Sequence, residues 1–217
     1  MKKLLLKELK LAASPLSYFF IASAFLTFVP GYPILLGSFF TTLGIFYSFQ
    51  TMRENNDIHY SLLLPVSKAD LVKSKYLFTV LIELCSFALM VIITLLRMLL
   101  WKNAAVYTSN ALMCANMTFL GFALLIFGLF NLIFVDGFFR TAYYFGKPFI
   151  TYCVIVLLVI TAAETLHHLP GLEALNAFGF SPLLPQLPVL FCGAIAFVLL
   201  TFFAVRHSVK RFETIDL

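Results

Sequence analysis

Six long apolar runs divide the chain, at residues 16–29, 34–50, 76–100, 111–135, 148–163 and 187–205. A helix that spans a bilayer needs about 20 apolar residues, within a range of roughly 17 to 25. The runs are continuous, without the polar–apolar alternation of barrel strands, so the pattern predicts helices. The first run is short, and Pro30-Gly31-Tyr32-Pro33 turns the chain back into the second. The expected fold is therefore an all-α polytopic membrane protein with six transmembrane helices.

One polar island interrupts this pattern at residues 57–76, DIHYSLLLPVSKADLVKSKY. Pro65 ends the apolar approach. Ser67 suits an N-cap, since its hydroxyl can accept a free backbone N–H of the first turn. Asp70 follows three residues later, near the capping-box spacing, and its charge favours a helix N-terminus. Lys73 and Lys75 fall in the next turn. The island reads as a short polar helix over residues 67–75, set against a plain solvated loop with a capped turn.

The chain begins MKKLLLKELKLAA. Leu5, Leu6, Leu9 and Ala13 can share one helical face, and Lys3, Lys7 and Lys10 another. This predicts an interfacial amphipathic helix over residues 1–13, with lysines toward lipid headgroups. A signal peptide fits less well, because charge continues through Lys10 and no clean cleavage site follows.

Composition agrees with a membrane class. Of 217 residues, 62% are hydrophobic and 12% charged, and the mean hydropathy is +0.99. Soluble domains are about 25% charged. The net charge of +5 is explained by where the cations lie, so nucleic acid is not an expected partner. With the N-terminus inside, 13 of the 15 Lys and Arg fall on one side, and only Arg97 and Lys102 on the other. The positive-inside rule then puts both termini, the basic tail at 206–217 and the island in the cytoplasm. It also requires an even number of crossings. Cys85, Cys114, Cys153 and Cys192 are dispersed, without a CxxC, and read as small buried hydrophobes.

The segment 164–186 has no Lys or Arg and is too apolar for a free loop. Short re-entrant helices, broken at Pro170-Gly171 and Ser181-Pro182, would fit it. His167 and His168 lack a third ligand with metal-site spacing. Within the runs, Glu83 lies about two turns into the third crossing. It is either a functional group facing the bundle or a structural, snorkelling one. Arg97, with Trp101 and Lys102, reads as an interface anchor. Asn116, Thr118 and Asn131 can join helices by hydrogen bonds, and Gly121 and Gly128 can let helices approach closely.

Several chemistries are unsupported. No GxxxxGK[ST] phosphate loop occurs, so nucleotide hydrolysis is not expected in this chain. Gly179-Phe180-Ser181-Pro182 lacks the second glycine of a nucleophile elbow. No HExxH occurs.

With these features the chain resembles permease subunits of bacterial ABC exporters, in the ABC type-2 permease family. The resemblance covers nearly the whole length. It rests on MKKLLLKELKLA, on RENNDIHYSLLLPVSKADLVKSKY, on the six runs and on the tail KRFETIDL. It implies a multi-pass protein of the bacterial cytoplasmic membrane that couples to a separate ABC ATPase subunit and pairs with a second permease. ATP and Mg would bind in the partner, with no cofactor here. The segment 51–75 would be the coupling segment, placing Arg53, Glu54, Asp57, Ser67, Lys68, Asp70, Leu71, Lys73 and Lys75 at the ATPase contact. The abundant Phe favours an amphipathic cargo, such as a peptide or a lipid-like molecule. The alternative is a stand-alone immunity or scaffold protein without transport.

Overall fold

The computed structural model describes residues 2–101, 104–108, 112–141, 144–180 and 182–215. Every regular element among them is helical. Helix α1 (Lys2–Lys7) continues as a π-helical stretch, Glu8–Ala12. Ser14 then caps α2 (Pro15–Phe19), accepting from Leu16 N, with Pro15 pre-set for the first turn. A 3-10 stretch, Phe20–Phe28, extends α2. The two stretches meet at a 97° bend. Then come α3 (Leu36–Glu54), α4 (Asp57–Leu62) and α5 (Lys68–Leu100). They are followed by α6 (Ala105–Thr108), α7 (Met117–Leu129), α8 (Asp136–Arg140), α9 (Gly146–Leu166) and α10 (Leu183–Glu213). A π-helical turn, Phe130–Val135, joins α7 to α8 without a break.

Four helices are long and apolar enough to cross a membrane: Lys68–Leu100, Met117–Arg140, Gly146–Leu166 and Leu183–Glu213. The bent N-terminal pair makes a fifth if it is counted as one span. The second predicted run is helical as α3 but is not among these spans. The helix is only 19 residues long, and its end, from Gln50 through Arg53 and Glu54, is polar and charged; its hydroxyls add to this. Ser38, Thr41, Thr42 and Ser48 lower its hydropathy, yet all four are buried against neighbouring helices. Thr41 pairs with Ser86 of α5 at 2.7 Å, and Thr42 with Tyr152 of α9 at 2.7 Å. Polar helix–helix bonds of this kind are common where the surroundings are apolar.

The core is a phenylalanine cluster. Phe49 of α3 meets Phe134 and Phe138 edge-on, and Phe46 stacks on Phe149 of α9 with centroids 3.9 Å apart. Such pairs add about 0.5–1.5 kcal/mol beyond area burial. On the other side, α10 packs closely along α7. A Cβ on Gly193 would overlap the Gly121 carbonyl oxygen, and one on Gly121 would lie 2.5 Å from Val189 O. At Gly128 the approach is looser but still close, since an added Cβ would lie 3.0 Å from Phe197 Cα. The glycines therefore do permit the close approach expected of them.

Three expectations need correction. Residues 67–75 do not form a separate helix. Ser67 does cap it, accepting from Asp70 N at 3.0 Å, but the helix runs on as α5 for 33 residues. Nothing between Lys75 and Leu100 breaks a helix, so the polar start and the crossing are one rod. The separate short helix is α4, bounded by Asn56 in the left-handed region (φ 50°) and the turn around Pro65. Second, the segment between α9 and α10 holds one three-residue 3-10 turn, Glu173–Leu175, and no longer helix among the described residues. Third, Leu6 is exposed, while Leu5, Leu9 and Ala13 pack on the core.

Candidate functional site

Two polar clusters sit on α5. The first is at its start, where four charged side chains meet. Lys75 is enclosed and bonds Glu8 of the N-terminal π-helical stretch, and it also bonds Asp57 of α4 at 2.7 Å. Lys7 reaches Asp57 at 2.6 Å and Ser61 Oγ at 2.6 Å. Two cations and two carboxylates thus alternate, and each carboxylate touches both cations. Burial alone would raise the Asp57 pKa. The Lys75 charge and hydrogen bonds from Lys7 and Lys75 outweigh it and hold Asp57 below the usual carboxylate value. Three elements distant in sequence are fastened at this point.

The expected partner-contact residues divide around this cluster. Leu71 and Lys75 are enclosed within the chain and present no surface. Within this chain Leu71 packs in the core and Lys75 serves the ion cluster. Lys68 donates to Ile215 O at 2.6 Å and ties the segment after α10 to α5. Arg53 lies over the Phe145 ring at 4.9 Å, and Glu54 accepts from Gln50. Arg53, Glu54, Ser67 and Lys73 are exposed, and Asp70 is half-buried. Beside them α4 and its turn expose Tyr60, Leu63 and Leu64, with Leu63 at 82%. No charge pattern announced these three, but their apolar exposure next to lysines is readable once the turn is placed.

The second cluster lies deeper in the bundle. Glu83 is fully enclosed. Asn131 Nδ2 donates to Glu83 Oε2 at 2.9 Å and to Thr201 Oγ1 of α10 at 3.1 Å. The π-helical turn at 130–135 carries Asn131, and such turns often occur at functional sites. A seam of polar groups continues from there along α10. Tyr76 OH reaches the Asn131 carbonyl at 3.4 Å and pairs with Ser208 Oγ at 2.8 Å. Ser208 donates to Asp136 Oδ1 at 2.9 Å, and His207 Nδ1 lies 2.8 Å from the same oxygen. His207 is partly exposed. Tyr76, Asp136, Thr201, His207 and Ser208 were not singled out in the sequence, because their pairings cross between helices.

Asn116 is not part of this site. It caps α7, accepting from Phe119 N at 3.0 Å, and donates to Leu175 O at 2.9 Å. Asn176 and Gln186 add further bonds there, so the segment after α9 is stitched to the start of α7. Glu164 joins it by accepting from Met113 N at 2.7 Å. Arg97 is not a surface anchor. It is enclosed, donates to Thr27 O, and lies 4.0 Å from the Tyr107 ring. Lys102, its expected companion, lies outside the described residues.

No group of His, Cys, Asp and Glu among the described residues could hold a metal ion. The arrangement offers an exposed apolar-basic face at one end and an enclosed carboxyl inside a helical membrane bundle. No curated protein and no solved structure matches the chain significantly. The model of a transporter membrane family does match, over residues 3–213. The chain belongs to that family, the ABC-2 family transporter proteins, and is a membrane permease subunit of an ABC transporter.

Proposed function

We propose that this permease forms half of the path of an ATP-driven exporter and takes up work through α4 and the first turns of α5. The family implies an ABC ATPase partner in general. In this reading α4 is the coupling helix, in place of residues 67–75. The observation that carries it is the two-sidedness of α4. One side is fixed by Asp57 to Lys75 and Lys7. The other presents Tyr60, Leu63 and Leu64, with exposed Arg53, Glu54, Ser67 and Lys73 around them. A buried apolar centre with a charged rim is how stable contacts are built. Work received there passes into α5, a rod about 50 Å long.

The Lys and Arg distribution supports a cytoplasmic position for both termini and α4. That orientation needs an even number of crossings, and in this reading there are six, with α2 and its extension as the first and α3 as the second. The stretch Lys2–Ala12 then lies in the interface, consistent with its 97° bend from the next helix and with exposed Lys3 and Lys10. A second permease completes the path, and the cargo is amphipathic or apolar.

The test is co-purification of the permease with its ATPase and assay of ATP-driven transport. Leu63→Asp with Tyr60→Asp should leave insertion and folding intact and abolish ATPase binding. Normal transport by this variant would refute the assignment of α4. Absence of any ATPase with the native chain would favour a stand-alone membrane protein.

A further inference from the structure

Glu83 poses a problem that the transport reading leaves unsolved. Among the described residues it is the fully enclosed carboxyl that forms no ion pair. An isolated ionised carboxylate away from water costs far more than any neutral hydrogen bond returns. The groups around it supply no cation. On α5, Tyr76 is engaged with Ser208, and Lys75 is taken by Glu8 and Asp57. On the π-helical turn after α7 stands Asn131, and α8 opens with Asp136, the acceptor of Ser208. On α9, Tyr152 is within electrostatic reach, its hydroxyl held by Thr42 of α3. On α10 the neighbour is Thr201, while His207 is held by Asp136 at the far end of the seam.

Of the enclosed side-chain atoms without hydrogen-bond partners among the described residues, two belong to this site: Glu83 Oε1 and Asn131 Oδ1. Both are acceptors when the carboxyl is ionised. One proton on the carboxyl would let the two serve each other. On Oε1 it makes a hydroxyl donor, and a carboxylic acid can pair reciprocally with a primary amide. The first arm of that pair, Asn131 Nδ2 to Glu83 Oε2, already exists at 2.9 Å. A metal cation fits less well, because Asn131 turns its NH₂ donors toward Glu83 and Thr201.

We propose that Glu83 is a proton-binding site, occupied while α5, α7 and α10 are packed together and emptied when α10 moves aside and water enters. Binding forms one O–H bond on the carboxylate with a proton taken from water. Release returns that proton to water, and nothing is oxidised or reduced. The seam through Tyr76, Ser208, Asp136 and His207 marks where water would arrive. It does not conduct in the packed state, because its link to Asn131 is a backbone carbonyl, which passes no proton on. The site is therefore closed until the helices part. A transporter built this way links its helix packing to proton uptake as well as to ATP.

Infrared absorption of the purified full-length permease tests this. The native protein at neutral pH should show the carbonyl stretch of a protonated carboxyl group, shifted in D₂O, and Glu83→Gln should remove it. Exchanging Na⁺ for K⁺ should leave it unchanged. Thr201→Val alters a neighbour of the site and should move the band without abolishing it, which serves if Glu83→Gln does not fold. Absence of the band from native protein at neutral pH would overturn the proposal. So would a band untouched by Glu83→Gln and by Thr201→Val, or one that Na⁺ abolishes, which would mark a metal site.

Discussion

Lys75 and Glu83 lie eight positions apart on one helix, and both are enclosed. Their surroundings differ completely. Lys75 sits between two carboxylates supplied by separate elements, with Lys7 completing an alternating quartet. Glu83 meets only an amide and hydroxyl-bearing neighbours. The first site balances charge with charge. The second has no opposite charge, and on the proposal above it removes its own. The comparison teaches that burial alone does not define a site: the same helix uses one enclosed ionisable group as a fastener and the other as a place of exchange.

The largest effect should come from Lys75→Ala. It leaves Glu8 and Asp57 facing each other with Lys7 alone, and breaking a buried pair costs about 3–5 kcal/mol. Chemical unfolding of the permease in detergent would measure it. Glu8→Gln combined with Lys75→Met should recover most of the loss, since the enclosed charge and its partner leave together. Failure to recover would mean that the lysine acts by packing.

Asn131→Ala should cost about 1–3 kcal/mol, because Glu83 Oε2 and Thr201 lose their shared donor. A smaller loss in the same unfolding assay would imply that water fills the gap.

Acid should then distinguish the two regions. A carboxyl held below its ordinary value stabilises the fold above that value, and the contribution fades as pH falls through the lowered one. Asp57 is such a group, so stability should fall below about pH 4, the ordinary carboxylate range. Melting curves across pH should show a shallower acid limb in Asp57→Asn.

The smallest effect is expected from Glu83→Gln. An amide copies the neutral acid in shape, so the melting point at neutral pH should correspond to a change within about 0.5 kcal/mol, the range of unobtrusive substitutions. A loss as large as that of Lys75→Ala would show that an ionised Glu83 was being held after all, and the comparison would collapse.

The helical membrane class was legible from run length alone. So were the Ser67 cap and the glycines on α7, because caps and close packing depend on local residue type. The end of the polar helix was not legible, since position 75 carries no stop signal and its lysine looks solvated. Its partners, Glu8 and Asp57, lie 67 and 18 positions away. Glu83 and Asn131 were each noticed singly. Their pairing depends on a π-helical turn that shifts the register of one helix, and hydropathy does not record that. Arg97 looked like an anchor because Trp101 and lysine follow it, while the rings that cover it come from beyond α5.

The contact between Gly121 and Gly193 also orders events during synthesis. The two glycines are 72 positions apart, and α7 cannot complete its close seat until α10 has left the ribosome and entered the bilayer. Helices insert first and associate afterwards, so α7 must wait, with Asn131 lacking Thr201 and the Phe127 side lacking Phe197. A chain halted after α9 would be inserted yet unfinished, its polar seam open along one side. Helix α10 is thus the one that seals the bundle, and a quality-control protease would find chains lacking it by the groove left unfilled along α7.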